Sequence, residues 1–288
     1  MSTPFRDVTP ALLRDWPLPT PSESKYSRGQ VLVIGGAART PGAAQLTGLA
    51  ALRVGAGHLT LAVAESAAVA LAVATPEAGV VGLPQTAEGS VRGDDLSAIG
   101  DSLGSADVVV IGPGLDDPEH TKNLLQQAIP QLGEETWLVL DAYALGVLPG
   151  VIDSAAPVHG RLVLTPNQEE ASRLLDREID LSEDDVLEIA QTYQAGVACR
   201  SLVADQHAAG WRIGSGHSGL ATSGSGDVLA GAVAGLLARG ADPAQALCWA
   251  SHVHAAAGDR LAVSVGSLGF LASELLAELP RVLVELGA

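Results

Sequence analysis

The chain has 288 residues, 47% of them hydrophobic but only 3% aromatic, with 33 glycines, a composition that suits strands packed closely against helices rather than an aromatic-rich sandwich or barrel. Its net charge of -17 argues against a surface for nucleic acid or anionic lipid, which needs clustered Lys and Arg. Lys25 and Lys122 are the only lysines, so any nucleotide must be held by backbone amides, glycine loops and Mg²⁺ more than by cationic side chains.

A Pro-rich lead-in (Pro10, Pro17, Pro19, Pro21) precedes the apolar run Gln30–Ile34, which ends at Gly35-Gly36 and reads as a buried strand and turn. Pro41 to Arg53 reads as the helix that follows, started by Pro41 and closed by Gly55 to Gly57. His58–Val63 is the next strand and Glu65–Val73 the next helix. Strand Asp107–Ile111, helix Thr121–Ile129 and strands Trp137–Leu140 and Leu162–Leu164 continue the alternation. Continuous Val, Ile and Leu runs such as Val108–Ile111 are what a parallel sheet buried on both faces requires. Further on, Val197–Ala204 and Trp211–Ile213 read as an antiparallel pair, and helices are expected at Asp227–Arg239, Pro243–Leu261 and Leu268–Glu285. With no linker or repeat in evidence, residues 1–288 read as a single domain. Cys199 and Cys248 are too few for a disulfide framework or a zinc site and are expected in the core of a protein from a reducing compartment. The first residues lack a basic stretch followed by an apolar run, and no segment approaches the length of a membrane span, which predicts a cytoplasmic protein without a membrane partner.

The chemistry concentrates in Ser223-Gly-Ser-Gly-Asp227. Gly224, Ser225 and Gly226 can turn their N–H groups toward one point, where the helix from about Ser225 adds unpaired amides and a partial positive charge. Asp227 is unexplained by anion binding, because a carboxylate beside a phosphate is repelled unless it accepts a proton or faces a second ligand. It reads either as a general base or as a plain complement to the helix dipole. In open α/β sheets ligands gather at the carboxyl ends of the strands, where Gly112-Pro-Gly-Leu115, Asp141 and Thr165-Pro-Asn-Gln-Glu-Glu170 fall. Asp141 reads slightly better as an N-cap than as a ligand to Mg²⁺ or a hydroxyl. Asn167 and Glu170 read equally as a capping box and as groups facing a ligand or its Mg²⁺. Gly214-Ser-Gly-His-Ser-Gly219 spells G-x-G-x-x-G but lacks the strand-to-helix setting of a dinucleotide site, and a P-loop is missing. His252 and His254, two apart on a helix, point to different faces and make a poor metal pair.

Several separated segments together resemble one family: Lys25-Tyr-Ser-Arg-Gly-Gln-Val-Leu-Val-Ile-Gly-Gly36, Pro41-Gly-Ala-Ala44, Ala50-Ala-Leu-Arg-Val-Gly-Ala-Gly57, Gly112-Pro-Gly-Leu115, Leu140-Asp-Ala-Tyr-Ala-Leu145, Leu164-Thr-Pro166 and Ser223-Gly-Ser-Gly-Asp-Val-Leu-Ala-Gly231. They look like the ADP-dependent NAD(P)H-hydrate dehydratases of the ribokinase-like superfamily. The resemblance implies a three-layer α/β/α sandwich with a central, mainly parallel sheet, and a repair reaction that dehydrates hydrated NADH or NADPH with consumption of ADP or ATP, with Mg²⁺. It implies Asp227 as base, Gly224, Ser225 and Gly226 as anion hole, Gly226 and Ser201 against the nucleotide, and Ala44, Gly114 and Asn167 against the substrate. Asn167 and Glu170 would serve the Mg²⁺. A homo-oligomer, a tetramer in the family, is also implied. The chain departs from the family pattern at Asn167-Gln-Glu-Glu170 in place of His-Pro-Gly-Glu. It does so again at Val197–Ser201, which lacks the usual lysine, at His217-Ser218 in place of Asn-Pro, and at Tyr143 in place of an acid. A kinase for a vitamin or sugar and a non-catalytic nucleotide-binding homologue are the competing readings.

Overall fold

The computed structural model describes residues 5–20, 28–216 and 218–288. Strands β1 (Arg6–Val8), β2 (Gln30–Ile34), β3 (His58–Ala64), β4 (Gly79–Leu83), β5 (Val108–Ile111), β6 (Trp137–Leu140), β7 (Leu162–Leu164), β8 (Ala195–Cys199), β9 (Leu202–Ala204) and β10 (Gly210–Ile213) form one sheet, in the order β1-β10-β9-β8-β7-β6-β5-β2-β3-β4. Every neighbouring pair is parallel except β8 with β9 and β9 with β10, so β9 alone runs backwards among the described strands. The helices are α1 (Pro10–Asp15), α2 (Pro41–Arg53), α3 (Glu65–Ala74), α4 (Gly100–Ser105), α5 (Pro118–Ala128), α6 (Tyr143–Val147), α7 (Gln168–Leu174), α8 (Glu183–Tyr193), α9 (Ser225–Ala238), α10 (Pro243–Ser264) and α11 (Ala272–Leu286).

The pleat divides the strand residues between two cores. Val31, Val33, Leu59, Leu61, Val108 and Val110 point to the face covered by α2, α3, α9, α10 and α11. Leu32, Ile34, Val109, Ile111, Leu138 and Leu140 point to the face covered by α4, α5, α6, α7 and α8. The result is the three-layer α/β/α sandwich with a mainly parallel sheet that the motif pattern implied. Both cysteines are buried and free, as their isolation predicted.

Small residues set the spacing of the first of these layers. A Cβ on Gly231 would lie 2.0 Å from the Thr47 carbonyl oxygen, and one on Gly235 would lie 2.4 Å from that of Ala51, so α9 meets α2 backbone to backbone.

One strand assignment is corrected. Val197–Ala204 is a hairpin of two strands, β8 and β9, turning at Arg200 and Ser201, with Cys199 opposite Leu202. Arg200 adopts a left-handed φ of +54° without help from a glycine, and so the turn is silent in the sequence. The pairing of β9 with β10 across the next turn is as expected.

Candidate active site

Strand order reverses between β2 and β5, and the loops that leave these two strands are stapled together there. Gly36 donates to the Pro113 carbonyl at 2.8 Å and Ala37 to the Gly114 carbonyl at 2.8 Å. The Thr40 hydroxyl also donates to Gly114, at 2.7 Å. Such a switch point opens a crevice at the carboxyl ends of the strands, and α9 packs behind it against β2, β5 and β6.

At the start of α9 the backbone makes an anion cradle. Gly224 is the N-cap with φ +90°, and a Cβ there would lie 2.7 Å from Leu46 Cδ1. The Ser225 amide donates to the Thr222 carbonyl at 3.2 Å, which corrects the expectation that it faces the anion. Among the described residues, the amides of Gly226 and Asp227 have no backbone acceptor. Nothing stands within 4 Å of a Cβ placed on Gly226, which is exposed. Two free amides at the positive end of a 14-residue helix suit a phosphoryl group.

Asp227 stands in the first turn of α9, half-buried, with its Oδ2 3.8 Å from a Cβ built on Gly224. Burial, and then the charge of Asp141, push its carboxyl up to about 7. Asp141 is 4% exposed and does not cap α6; its Oδ1 accepts the Thr165 hydroxyl at 2.7 Å. Burial raises it to about 6 against the pull of that bond and of the Ala142 amide. Ala142 holds φ +50° and ψ -121°, a region that only glycine takes freely, so strain lies beside this carboxyl. Glu170 is raised to about 7, by burial first and in lesser part by Asp141. Three carboxyls thus share a poorly solvated neighbourhood in which each resists full ionisation.

Asn167 and Glu170 form the capping box of α7, with Asn167 Oδ1 accepting from the Glu170 amide at 2.9 Å and Glu170 Oε2 from the Asn167 amide at 2.8 Å. The cap therefore occupies the Asn167 oxygen expected to serve a metal, and among the described residues no three His, Cys, Asp or Glu side chains are grouped to hold one. A Mg²⁺ that keeps its waters and takes one carboxylate plus phosphate oxygens still fits Glu170, whose raised carboxyl an added cation would relieve.

Beside the cradle lies a cavity of about 550 Å³, walled by the β7–α7 loop, the Arg200–Ser201 turn, Ile213, Ser225 and Gly226, and the Ser251, His254 and Ala255 face of α10. Its size and its mixture of apolar wall with hydroxyl, amide and guanidinium groups suit a nucleotide. Ser201, expected at the nucleotide, and Asn167, expected at the substrate, both line it. Arg200 donates to Gln168 Oε1 at 2.8 Å on the rim. His254 is buried, with Nε2 3.0 Å from both the hydroxyl and the carbonyl of Ser225. Burial lowers it to about 4, so it is a neutral brace for the turn.

Gly114 sits at the switch point with φ +73°, pressed so closely on Thr40 that a Cβ would lie 2.4 Å from the Thr40 carbonyl oxygen. Ala44 is 0% exposed, packed beneath Gly36, and presents no surface to a ligand. Lys25 and His217 lie outside the described residues. Neither the bond from Asp141 to Thr165 nor the contact of His254 with Ser225 is visible in the motifs. The placing of Ser251 and His254 one turn apart on α10 was the available signal for the second.

A sheet of this order, with a glycine-capped helix that carries one carboxylate in its first turn beside a nucleotide-sized cavity, has the ribokinase-like fold. A family model described as NAD(P)H-hydrate dehydratase matches residues 31–281, and the chain belongs to that family. It is 43% identical over 286 residues to an ADP-dependent (S)-NAD(P)H-hydrate dehydratase of Xanthomonas campestris, covering 96% of each chain. It is also 36% identical to a bifunctional NAD(P)H-hydrate repair enzyme of Escherichia coli, where the match takes 91% of this chain but spans only 49% of that one. Among solved structures, a ribokinase-like superfamily protein from Enterococcus faecalis superposes with a TM-score of 0.84 at 23% identity, over 98% of this chain and 96% of that one. An ADP/ATP-dependent NAD(P)H-hydrate dehydratase from Bacillus subtilis, co-crystallized with ATP/Mg²⁺, superposes with a TM-score of 0.76 at 24% identity, over 98% and 99%. These structural likenesses carry the fold. Among the described residues no helix is long and apolar enough to cross a membrane.

Proposed function

We propose that this protein dehydrates hydrated NADH and NADPH, consuming ADP or ATP. The observation that carries the reading is the half-buried Asp227, its carboxyl raised to about 7, in the first turn of α9 next to Gly226, which lines the nucleotide cavity. The donor nucleotide lies in the cavity against Ser201 and Gly226, with the phosphoryl to be moved over the Gly226 and Asp227 amides. The hydrated nicotinamide lies in the crevice beside Gly114, above Ala44.

Asp227 takes the proton from the substrate hydroxyl as its oxygen bonds to the terminal phosphorus, and the bond from that phosphorus to the donor breaks. The two amides stabilise charge on the moving phosphoryl. The phosphate ester then leaves with its electron pair as inorganic phosphate, a ring proton is lost, and the nicotinamide double bond is restored. Mg²⁺, held by Glu170 and by phosphate oxygens, would offset the charge of the donor. Cytosolic action and a homo-oligomer, a tetramer as in the family, belong to the same reading, and the exposed Val263, Leu268 and Val284 support association.

The test is an assay of purified protein with hydrated NADH and either ADP or ATP, followed by the absorbance of reduced nicotinamide. Recovery that depends on the nucleotide is expected. Consumption of ATP with a stable phosphorylated alcohol and no recovery would instead identify a small-molecule kinase.

A further inference from the structure

Ser251 is an oddity of α10. It is 4% exposed, it lines the nucleotide-sized cavity, and its hydroxyl has no hydrogen-bond partner. A serine inside a helix ordinarily donates to the carbonyl four residues back, as Ser264 of the same helix does to Arg260 at 2.9 Å. Ser251 makes no such bond. One turn further on, His254 spends its Nε2 on Ser225, so of the two polar groups on this face one is committed and one is left over. Ser215 lines the same cavity with a second unpartnered hydroxyl. Ala198, Ile213, Leu229 and Ala255 give the same cavity an apolar share of its wall. Apolar wall together with uncommitted hydroxyls is the complement of a flat heterocycle that carries ring nitrogens and an exocyclic amine on its edge.

The geometry points to Ser251, with Ser215, as the group that hydrogen-bonds the edge of the donor's purine base and so sets which nucleotide is accepted. This rests on the reading of the cavity as the donor site. Native proteins seldom leave a buried hydroxyl unpaired without a reason, and a bound base supplies one. The hydroxyl thus costs the empty protein stability and repays it on binding.

The decisive experiment is calorimetric titration of wild type, Ser251→Ala and Ser215→Ala with ADP and with ribose 5-diphosphate, which lacks the base, beside melting curves of the ligand-free proteins. Ser251→Ala should weaken ADP about three- to tenfold while leaving ribose 5-diphosphate unchanged, and its ligand-free melting temperature should equal or exceed that of wild type. Ser215→Ala should show the same selectivity and supplies a second variant. An equal loss with both ligands, no loss with ADP, or a lower ligand-free melting temperature with loss of both would overturn the assignment of Ser251. If wild type prefers ADP and Ser251→Ala prefers it equally, only that assignment falls. If wild type binds ADP no better than ribose 5-diphosphate, the donor-site reading falls with it.

Discussion

The surroundings of Asp227, the proposed base, are inhospitable to charge. An ordinary surface aspartate ionises well below neutrality and makes a feeble base, whereas burial and the negative Asp141 bring Asp227 up to about 7, near the pH at which a base works best. Replacing it by Asn should lower kcat by about 10²–10⁴-fold while ADP still binds, as steady-state rates and a thermal shift would show. In the wild type, kcat/KM should climb as pH rises through about 7, as Asp227 loses its proton. Asp141→Asn removes a negative neighbour and keeps an acceptor for Thr165, so the rising limb should move to lower pH. A limb that stays put would mean that Asp141 does not tune the base.

At the scale of elements, the site depends on where α9 begins and how closely α2 lets it approach. Gly231→Ala would drive a methyl to within 2.0 Å of the Thr47 carbonyl, a backbone atom that cannot step aside. The cost should be about 1–3 kcal/mol, with activity falling alongside, because the shifted helix carries both the cradle and Asp227; denaturant melts and rates would show the two losses together. Asn167→Ala removes the capping box of α7 and should cost about 1 kcal/mol, while leaving the pH at which Asp227 titrates nearly unchanged. The elements that make the site were legible because their signals are local. Pro41 starts α2, Gly224 stops the chain before α9, and Val108–Ile111 can only be a buried strand. Elements less marked locally escaped: β4 is an edge strand interrupted by two glycines, β1 pairs with a strand some two hundred residues later, and the β8–β9 turn has no glycine to announce it.

For the molecule as a whole, the buried carboxyls of the candidate site set a pH dependence opposite to that of a salt-bridged protein. Asp141, Glu170 and Asp227 have folded-state pKa values of about 6, 7 and 7, above their ordinary 3.8, 4.5 and 3.8. Their contribution to stability is complete below those ordinary values and is lost as pH rises through about 6 to 7. His254 runs the other way, held at about 4 against 6.5; its contribution is present above 6.5 and fades as pH falls toward 4. The ligand-free melting temperature should therefore decline from pH 6 to pH 8. Asp227→Asn should flatten that decline and stabilise the protein at pH 8 by about 1–2 kcal/mol. A calorimetric series over that range, wild type against variant, checks the sign.

The amino-acid sequence by itself determined the layered α/β/α architecture, the family and the identity of the candidate base, because hydrophobic periodicity, glycine placement and a run such as Ser223–Gly231 are properties of neighbouring residues. Only the tertiary structure decided that Asp141 answers to Thr165 rather than to a helix end, that Asn167 and Glu170 cap one another, that His254 braces Ser225 across 29 positions, and that Ser251 is left without a partner. Those outcomes hinge on which distant groups meet and how much water reaches them. Burial and charge proximity act through space, and the order of residues along the chain does not record them.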